Sequence, residues 1–502
     1  MPDPKGERRA CGRVEQVGFS EQKEGESKVV RESDQSTVLG GRESRSHGEG
    51  ADRNTQPVKE TWTGREGPEQ TMPTSLQGIA KKAKSQKKYR FRNLYGLLNE
   101  EMLWECWRDI RKDAAYGVDR VGAQEYGQKL AENIRQLVDR LKRKSYRAKL
   151  IRRHYIPKGG GEVRPLGIPA VEDKLLQLGV LRVLEAIYEQ DFLRCSYGYR
   201  PRVGALDAVD WLTIKLQFGR YHYVVEADIR GFFDHIDHDW MIRMLAERID
   251  DRALLRLIRK WLKAGVLEVD GRVVHPATGT PQGGIVSPIL ANVYLHYALD
   301  LWFEKVFKPR CRGEACLIRY ADDFVCAFER EEDAQRFYRE VGERLRRFGL
   351  GLAAEKTRVI AFSRLEPDSG SFEFLGFEFY WGKDRSGRDH VKRRTSRKKL
   401  RSSLKGFTDW CKENRHLKLR VMFEQLNSKL RGYYNYYGVH GNYGSLKQFF
   451  SSAMRILMKW LNRRSQRRSY NWSGFSAVLQ HFQVKRPRIV GRPRIRWATL
   501  AA

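Results

Sequence analysis

Hydrophobic residues recur at two spacings along this chain, and periodic organisation begins near Gln77. Leu94, Leu97, Leu98, Met102, Leu103 and Trp107 predict a helix over 91–112. Gly117-Val118-Asp119 ends it, and Ile134, Leu137 and Leu141 mark a second helix over 123–144. Extended pieces flanking Gly159-Gly160-Gly161 predict a hairpin carrying Lys158 and Arg164. An amphipathic helix over 172–188 follows, then a compact turn at Ser196-Tyr197-Gly198-Tyr199-Arg200-Pro201. Val224, Val225, Ala227 and Ile229 predict a mostly buried strand over 223–229 that delivers Asp228 at its end. A helical stretch covers 239–264, and Asp270-Gly271 turns a hairpin over 266–274. The loop Gly279-Thr280-Pro281-Gln282-Gly283-Gly284 opens a long apolar helix reaching Val306.

The stretch 317–328 runs apolar into Ala321-Asp322-Asp323 and apolar out again, which reads as two short strands and a hairpin turn. A helix over 331–348, a strand over 358–362 and an extended stretch over 372–379, interrupted by Gly376, follow. The layout is α+β, with helices beside an antiparallel sheet. Composition shifts near Lys383, and Lys and Arg dominate 392–405. Helical patterns cover 398–412, 421–437 and 446–462; the middle one carries Arg431-Gly432-Tyr433-Tyr434-Asn435. Its tyrosines serve either as surfaces for stacking bases or as bundle core. Residues 1–75 lack apolar periodicity and predict disorder. The divisions are thus a disordered tail (1–75), a helical extension (76–150), a mixed domain (151–382), a helical domain (383–465) and a basic tail (466–502). In that last segment Lys485-Arg486-Pro487-Arg488 and the proline-spaced run 492–497 are expected to order only on nucleic acid.

Charge narrows the partner class. Ninety-five Lys and Arg against 62 Asp and Glu leave +33 over 502 residues, which points to a polyanion. Seven scattered cysteines, an odd number, argue against a disulfide framework. Cys311 and Cys316, the only close pair, lack the second pair a zinc site needs. No apolar run is long enough for a bilayer and the N-terminus is polar, so a cytoplasmic protein is expected.

Candidate chemistry sits on three of these elements. Asp322 and Asp323 repel each other unless exposed or bridged by a cation. Two divalent ions roughly 4 Å apart activate an attacking oxygen and stabilise a leaving one in phosphoryl transfer. Lys158 offers a point charge and Arg164 a planar fork, a combination suited to a triphosphate. Gln282 can donate and accept at once, and the glycines beside it permit close approach of a substrate.

Taken in order, the segments 157–169, 196–201, 227–234, 279–288, 320–324, 355–357 and 374–377 form one set with the Arg-Gly-Tyr-Tyr-Asn run. This set resembles the bacterial group II intron-encoded reverse transcriptase/maturase, from about Thr74 to the C-terminus. The resemblance implies a right-hand polymerase, with fingers and an antiparallel palm sheet over 151–382 and an α-helical thumb/maturase domain X over 383–465. It implies that Asp228 and Asp322 bind two Mg2+ ions, with Mn2+ as a substitute, and that Asp323 supports them. Lys158 and Arg164 would hold the triphosphate, Gln282 would lie near the nascent pair, and Lys356 would protonate pyrophosphate. The ring of Phe233 would sit under the sugar and collide with a 2′-hydroxyl, selecting deoxynucleotides. Phe374, Leu375, Gly376 and Phe377 would grip the primer. Lys392, Arg393, Arg394, Arg397, Lys398, Lys399, Arg431, Tyr433, Tyr434 and Asn435 would contact RNA.

The implied partners are the intron RNA, whose splicing the protein would assist, an RNA template, a DNA primer or target, and deoxynucleotides. Pairing of two chains stays open. Two alternatives stand beside this reading: a catalytically silent RNA-binding maturase, and a reverse transcriptase recruited to phage defence or a CRISPR system. All three carboxylates are in place, against the first, and the maturase-like region speaks against the second. The chain stops at Ala502 without the paired cysteines of the DNA-cutting domain found in many relatives. Retrohoming would then take its primer from elsewhere, such as a nascent strand at a replication fork.

Overall fold

The structure, a computed structural model, describes residues 74–159, 162–280, 282–365, 369–464 and 469–490. The expected disordered tail lies outside these except for Thr74 and Ser75, which begin α1 (Thr74–Ser85). The helix expected over 91–112 contracts to α2 (Glu100–Asp109). Asn99 caps it by accepting a hydrogen bond from the Met102 amide, while Phe91 bridges to Ile249 far along the chain. The second expected helix breaks at Lys129 into α3 (Ala123–Gln128) and α4 (Leu130–Lys142), and the Asn133 side chain donates to the Tyr126 carbonyl across the break.

β1 (Ile151–Gly159) and β2 (Glu162–Ile168) form the glycine-turned hairpin, and α5 (Val171–Tyr188) is buried on nearly every side. α6 (Ala205–Phe218) has no counterpart in the sequence reading. β3 (Tyr223–Asp228) follows it. The stretch expected as one helix over 239–264 is two, α7 (His238–Ala246) and α8 (Arg252–Leu262). Asp251 caps the second by accepting from the Ala253 and Leu254 amides. β4 (Val266–Leu267) and β5 (Val273–Val274) make a short hairpin that joins β1 in parallel. α9 (Ser287–Leu295) continues through two π-helical turns, His296–Asp300 and Phe303–Phe307.

β6 (Ala315–Tyr320) and β7 (Asp323–Phe328) are the arms of the acidic hairpin, followed by α10 (Glu331–Arg346) and β8 (Arg358–Ala361). The central sheet has the order β6-β7-β3-β8, antiparallel throughout. Both of its faces are covered. Val225, Ala227, Phe324, Cys326 and Phe328 face one core with α5, α9 and α10, while Val224, Val325, Ala327 and Ile360 face a second core containing α6.

That second core is completed by β9 (Phe372–Phe374), β10 (Phe377–Lys383) and β11 (Asp389–Thr395). Lys383, where composition changes, therefore ends one arm of the β10–β11 hairpin, and the helices begin only at α11 (Arg397–Asn414), capped by Ser396. α12 (Leu419–Tyr437), α13 (Tyr443–Leu461) and α14 (Trp472–His481) pack with it around Trp410, Leu430 and Leu457. α14 corrects the expectation of a tail from residue 466, because Phe475 and Leu479 are buried in the bundle. Beyond it the Lys485 amide donates to Asn427 and the Val490 amide to Gly438, so protein contacts already order 485–490. The run 492–497 lies outside the described residues. Among the described residues no helix is long and apolar enough to cross a membrane.

Candidate active site

β3 ends where β7 begins, and the register sets Asp228 directly opposite Asp323. Residues opposed on antiparallel neighbours share a face, so these carboxylates are cross-strand neighbours. Tyr320 pairs with Asp323, which leaves Ala321 and Asp322 as a two-residue turn. Ala321 sits at φ 57°, a left-handed conformation that an alanine adopts at a cost.

Electrostatics separate the three acids. Burial raises the Asp322 carboxyl above its usual range and Asp228 adds to this, while its own amide, Arg164 and Arg319 oppose it. Asp323 is pushed up to about 7, first by burial and then by Asp322, Asp228 and Glu226, with the Leu375 amide opposing. Asp228 Oδ2 lies 2.6 Å from Lys356 Nζ. Among the described residues, no three His, Cys, Asp or Glu side chains close into a compact ligand cluster. The three acids nevertheless meet at one corner, with Asp228 opposite Asp323, Asp322 in the adjoining turn and Lys356 beside Asp228.

The donor set still fits a hard divalent ion. Asp228 and Asp322 line the same cleft and offer oxygen ligands, and the repulsion between them is what a bound cation relieves. Lys356 Nζ shows that a positive charge settles at this point.

The cleft encloses about 560 Å³, and backbone hydrogen bonds stitch its walls together. The Gly167 amide of β2 donates to the Gln282 carbonyl at 2.6 Å. Gly283 has φ 114°, and a Cβ there would stand 2.6 Å from the Gly167 carbonyl oxygen, so this close approach requires glycine. On the far side the Thr280 amide donates to Phe233 O and the Gly279 amide to Ile236 O. Arg164, Phe233, Gln282 and Lys356 consequently line one space with Asp228 and Asp322. Lys158 lies on β1, and its side chain is outside the description. Phe233 is half-buried, edge-on to Phe232 at 5.3 Å and to Tyr199 at 6.4 Å. Tyr199, which sequence reasoning left without a role, is a cleft residue with φ 56°.

Phe374 and Phe377 are buried, and between them Leu375 (φ 50°) and Gly376 (φ 81°) make a left-handed two-residue turn. The Leu375 N–H reaches Asp323, and the Leu375 carbonyl accepts from Tyr436 Oη at 2.8 Å. Tyr436 thereby ties the helical domain to the acidic corner, a role its place in a run of aromatics does not reveal.

The residues expected to contact RNA divide sharply. Tyr434 is fully buried and donates to the Lys485 carbonyl, while Tyr433 stacks on Phe449 at 3.7 Å. Tyr434 is bundle core and the half-buried Tyr433 packs against that core, so of the two roles open to these tyrosines they take the core one, which corrects their expected contact with RNA. Arg393 pairs with Asp210 and Arg394 with Glu378, so both guanidinium groups are engaged within the protein, and Lys392 is half-buried on β11. Arg397, Lys398, Lys399, Arg431 and Asn435 are exposed.

Comparison with known proteins converges on this region. Residues 156–379 match the reverse transcriptase (RNA-dependent DNA polymerase) family. The group II intron-encoded protein LtrA of Lactococcus lactis subsp. cremoris is 30% identical over 406 residues, covering 63% of this chain and 65% of that protein. Protein YkfC of Escherichia coli strain K12 is 35% identical over 239 residues, covering 42% and 62%. Nuclear intron maturase 3, mitochondrial, of Arabidopsis thaliana is 29% identical over 129 residues, covering 26% and 18%. The chain therefore spans less than two thirds of the length of each of these proteins. The matched segment runs from the β1–β2 hairpin through the acidic corner to β10, so the part of the chain that is similar to the reverse transcriptase family is the part that builds this cleft, and the similarity to the group II intron-encoded protein LtrA extends over 406 aligned residues.

Proposed function

We propose that this chain copies RNA into DNA and that its C-terminal helices bind a group II intron RNA and assist its splicing. The carrying observation is the corner itself: Asp228 opposite Asp323, with Asp322 in the turn, across one cleft from Arg164, Gln282 and Phe233. In this reading the β1–β2 hairpin belongs to the fingers, the central sheet is the palm, and α11–α14 are thumb and maturase domain. The names of relatives, an intron-encoded protein and an intron maturase, support the RNA half.

The primer 3′-hydroxyl attacks the α-phosphate of a deoxynucleotide and pyrophosphate leaves. Arg164, with Lys158, holds the triphosphate by charge-assisted hydrogen bonds. Phe233 closes the space a 2′-hydroxyl would occupy, and Gln282 orients the nascent pair. Lys356, leaving its partner Asp228, donates a proton to the pyrophosphate oxygen. Two Mg2+ ions held by Asp228 and Asp322, or Mn2+ in their place, would supply the charge stabilisation at the attacking and leaving oxygens. Asp323 supports this pair, and the Phe374–Phe377 turn holds the primer end. The exposed cations at the start of α11, with Arg431 and Asn435, contact RNA.

Primer extension on an RNA template, with Asp322→Ala beside the wild type, tests the reading. The variant should lose deoxynucleotide incorporation and keep RNA affinity within about twofold, because the basic surface is untouched. A variant that still extends the primer removes the metal assignment. A wild type unable to extend any RNA-templated primer removes the polymerase reading.

A further inference from the structure

Arg319 immediately precedes the Tyr-Ala-Asp-Asp turn, and its side chain is fully buried. Five N–H groups are available on a guanidinium, and all five are used here. Nε and one Nη bond both oxygens of Asp300, at 2.8 and 2.6 Å. The same Nη reaches Ser196 Oγ at 2.8 Å. The other Nη reaches Asn292 Oδ1 at 3.1 Å and the Ala321 carbonyl at 2.9 Å. Asp300, Asn292 and Ser196 are themselves almost without exposure.

A buried ion pair is poor evidence for stability, because apolar residues of equal volume often serve a core as well. What this one does geometrically is more specific. Ala321 is held at φ 57°, and the carbonyl Arg319 grips belongs to the peptide that leads into Asp322. From the other side the chain 195–198 presses on the turn. The Tyr197 amide donates to Arg319 O, the Arg319 amide donates to Cys195 O, and a Cβ on Gly198 would lie 2.2 Å from Ala321 N. Asn292 joins both sides, since its Nδ2 donates to Gly198 O at 2.7 Å. Asn292 and Asp300 lie eight residues apart, which in an unbroken α-helix leaves them about 80° out of line. The wider π-helical turn His296–Asp300 reduces that offset, and both residues meet one guanidinium.

We infer that Arg319 is a positioning residue for the polymerase reaction: with Asp300, Asn292 and Ser196 it locks the left-handed turn that aims Asp322 into the cleft. The inference rests on the polymerase reading of that site.

The test uses the full chain, single-nucleotide incorporation on a primed RNA template, and Mn2+ affinity measured by electron paramagnetic resonance without nucleotide. Arg319→Lys keeps a charge beside Asp300, yet one nitrogen cannot span Asp300, Ser196 and Ala321 together. The expected result is an incorporation rate about 10- to 100-fold lower, nucleotide KM within about twofold of wild type, and a Mn2+ midpoint raised about threefold or more. Ser196→Ala and Asn292→Ala each remove one guanidinium partner without orphaning a buried charge, and they decide the matter if Arg319→Lys does not fold. They should lower the rate about three- to tenfold, again with KM unchanged and the Mn2+ midpoint raised.

Folded variants with wild-type rate and wild-type Mn2+ midpoint would overturn the inference. So would variants that lose only unfolding temperature, with activity tracking the folded fraction, since a purely structural ion pair behaves that way. A wild type that incorporates no nucleotide removes the polymerase reading instead, and the Mn2+ midpoints still report whether Arg319 sets the turn.

Discussion

Gly198→Ala perturbs the acidic turn without touching a single polar group. An alanine Cβ at this position would lie 2.2 Å from Ala321 N, 2.9 Å from Tyr320 C and 3.0 Å from Ala321 Cα. Ordinary van der Waals separation begins near 3.4 Å, so the two segments must part by 3.4 − 2.2, or about 1.2 Å. All three opposing atoms are backbone, so no side-chain rotation relieves the overlap. The shift falls on Ala321 and passes to its neighbour Asp322. Overpacking of this kind costs about 1–3 kcal/mol of stability, which a domain of this size survives. Misplacing a reacting group by about 1 Å costs on the order of 10²-fold in rate. Single-nucleotide incorporation by rapid quench, paired with thermal unfolding, should therefore show a folded protein with about 100-fold lower rate. Gly406→Ala is the control, because nothing lies within 4 Å of the added carbon and a helical alanine is favoured. A Gly198→Ala chain within about threefold of the wild-type rate would refute the geometry.

Three further outcomes are expected. Phe233→Ala should lower the preference for deoxynucleotides over ribonucleotides by about tenfold or more, measured as the ratio of kcat/KM values, because the ring closing the cleft beside Tyr199 is gone; an unchanged ratio removes the gate. Replacing Arg397, Lys398 and Lys399 by Ala should reduce the slope of log affinity for intron RNA against log salt by about 0.7–0.9 for each phosphate that is no longer neutralised; an unaltered slope makes that helix end a solvated surface. Glu185 is pushed up to about 7, by burial first and by Glu189 second, so its charged form is the disfavoured one in the folded protein. The folded state then binds the extra proton between about 4.5 and 7, and stability falls as pH rises through that window. Glu185→Gln should stabilise the chain by up to about 3 kcal/mol above pH 7 and by nothing below pH 4.5, as followed by denaturant unfolding across pH.

The parts of this fold that were legible in the sequence are those whose signal is local. The apolar runs on either side of Ala321-Asp322-Asp323 and the apolar run ending at Asp228 name the three strands of the acidic corner, since a strand buried on both faces must be apolar at nearly every position. Helix boundaries were missed where a distant partner sets them. Phe91 leaves the helical path because Ile249 offers it a bridge, and the same pairing breaks the stretch expected over 239–264. α14 was hidden by composition: ten residues with two buried apolar side chains look like tail beside so many cations.

The aromatic run on α12 shows why residue type alone assigns roles poorly. Successive helical positions are rotated by about 100°, so Tyr433, Tyr434 and Tyr436 point to different neighbours. One stacks on Phe449, one is sealed beneath Lys485, and one holds the Leu375 carbonyl. Nothing in a run of tyrosines and cations distinguishes these fates before the neighbours are known. The buried polar stripe of Asn292, His296 and Asp300 did leave a trace, as polar residues four apart in an otherwise apolar helix. Such a stripe demands a polar partner from elsewhere in the chain, because buried polar groups are costly when unmatched. For Asn292 and Asp300 that partner is Arg319 beside the acidic turn, so the least hydrophobic feature of that helix is the one that reaches the acidic corner.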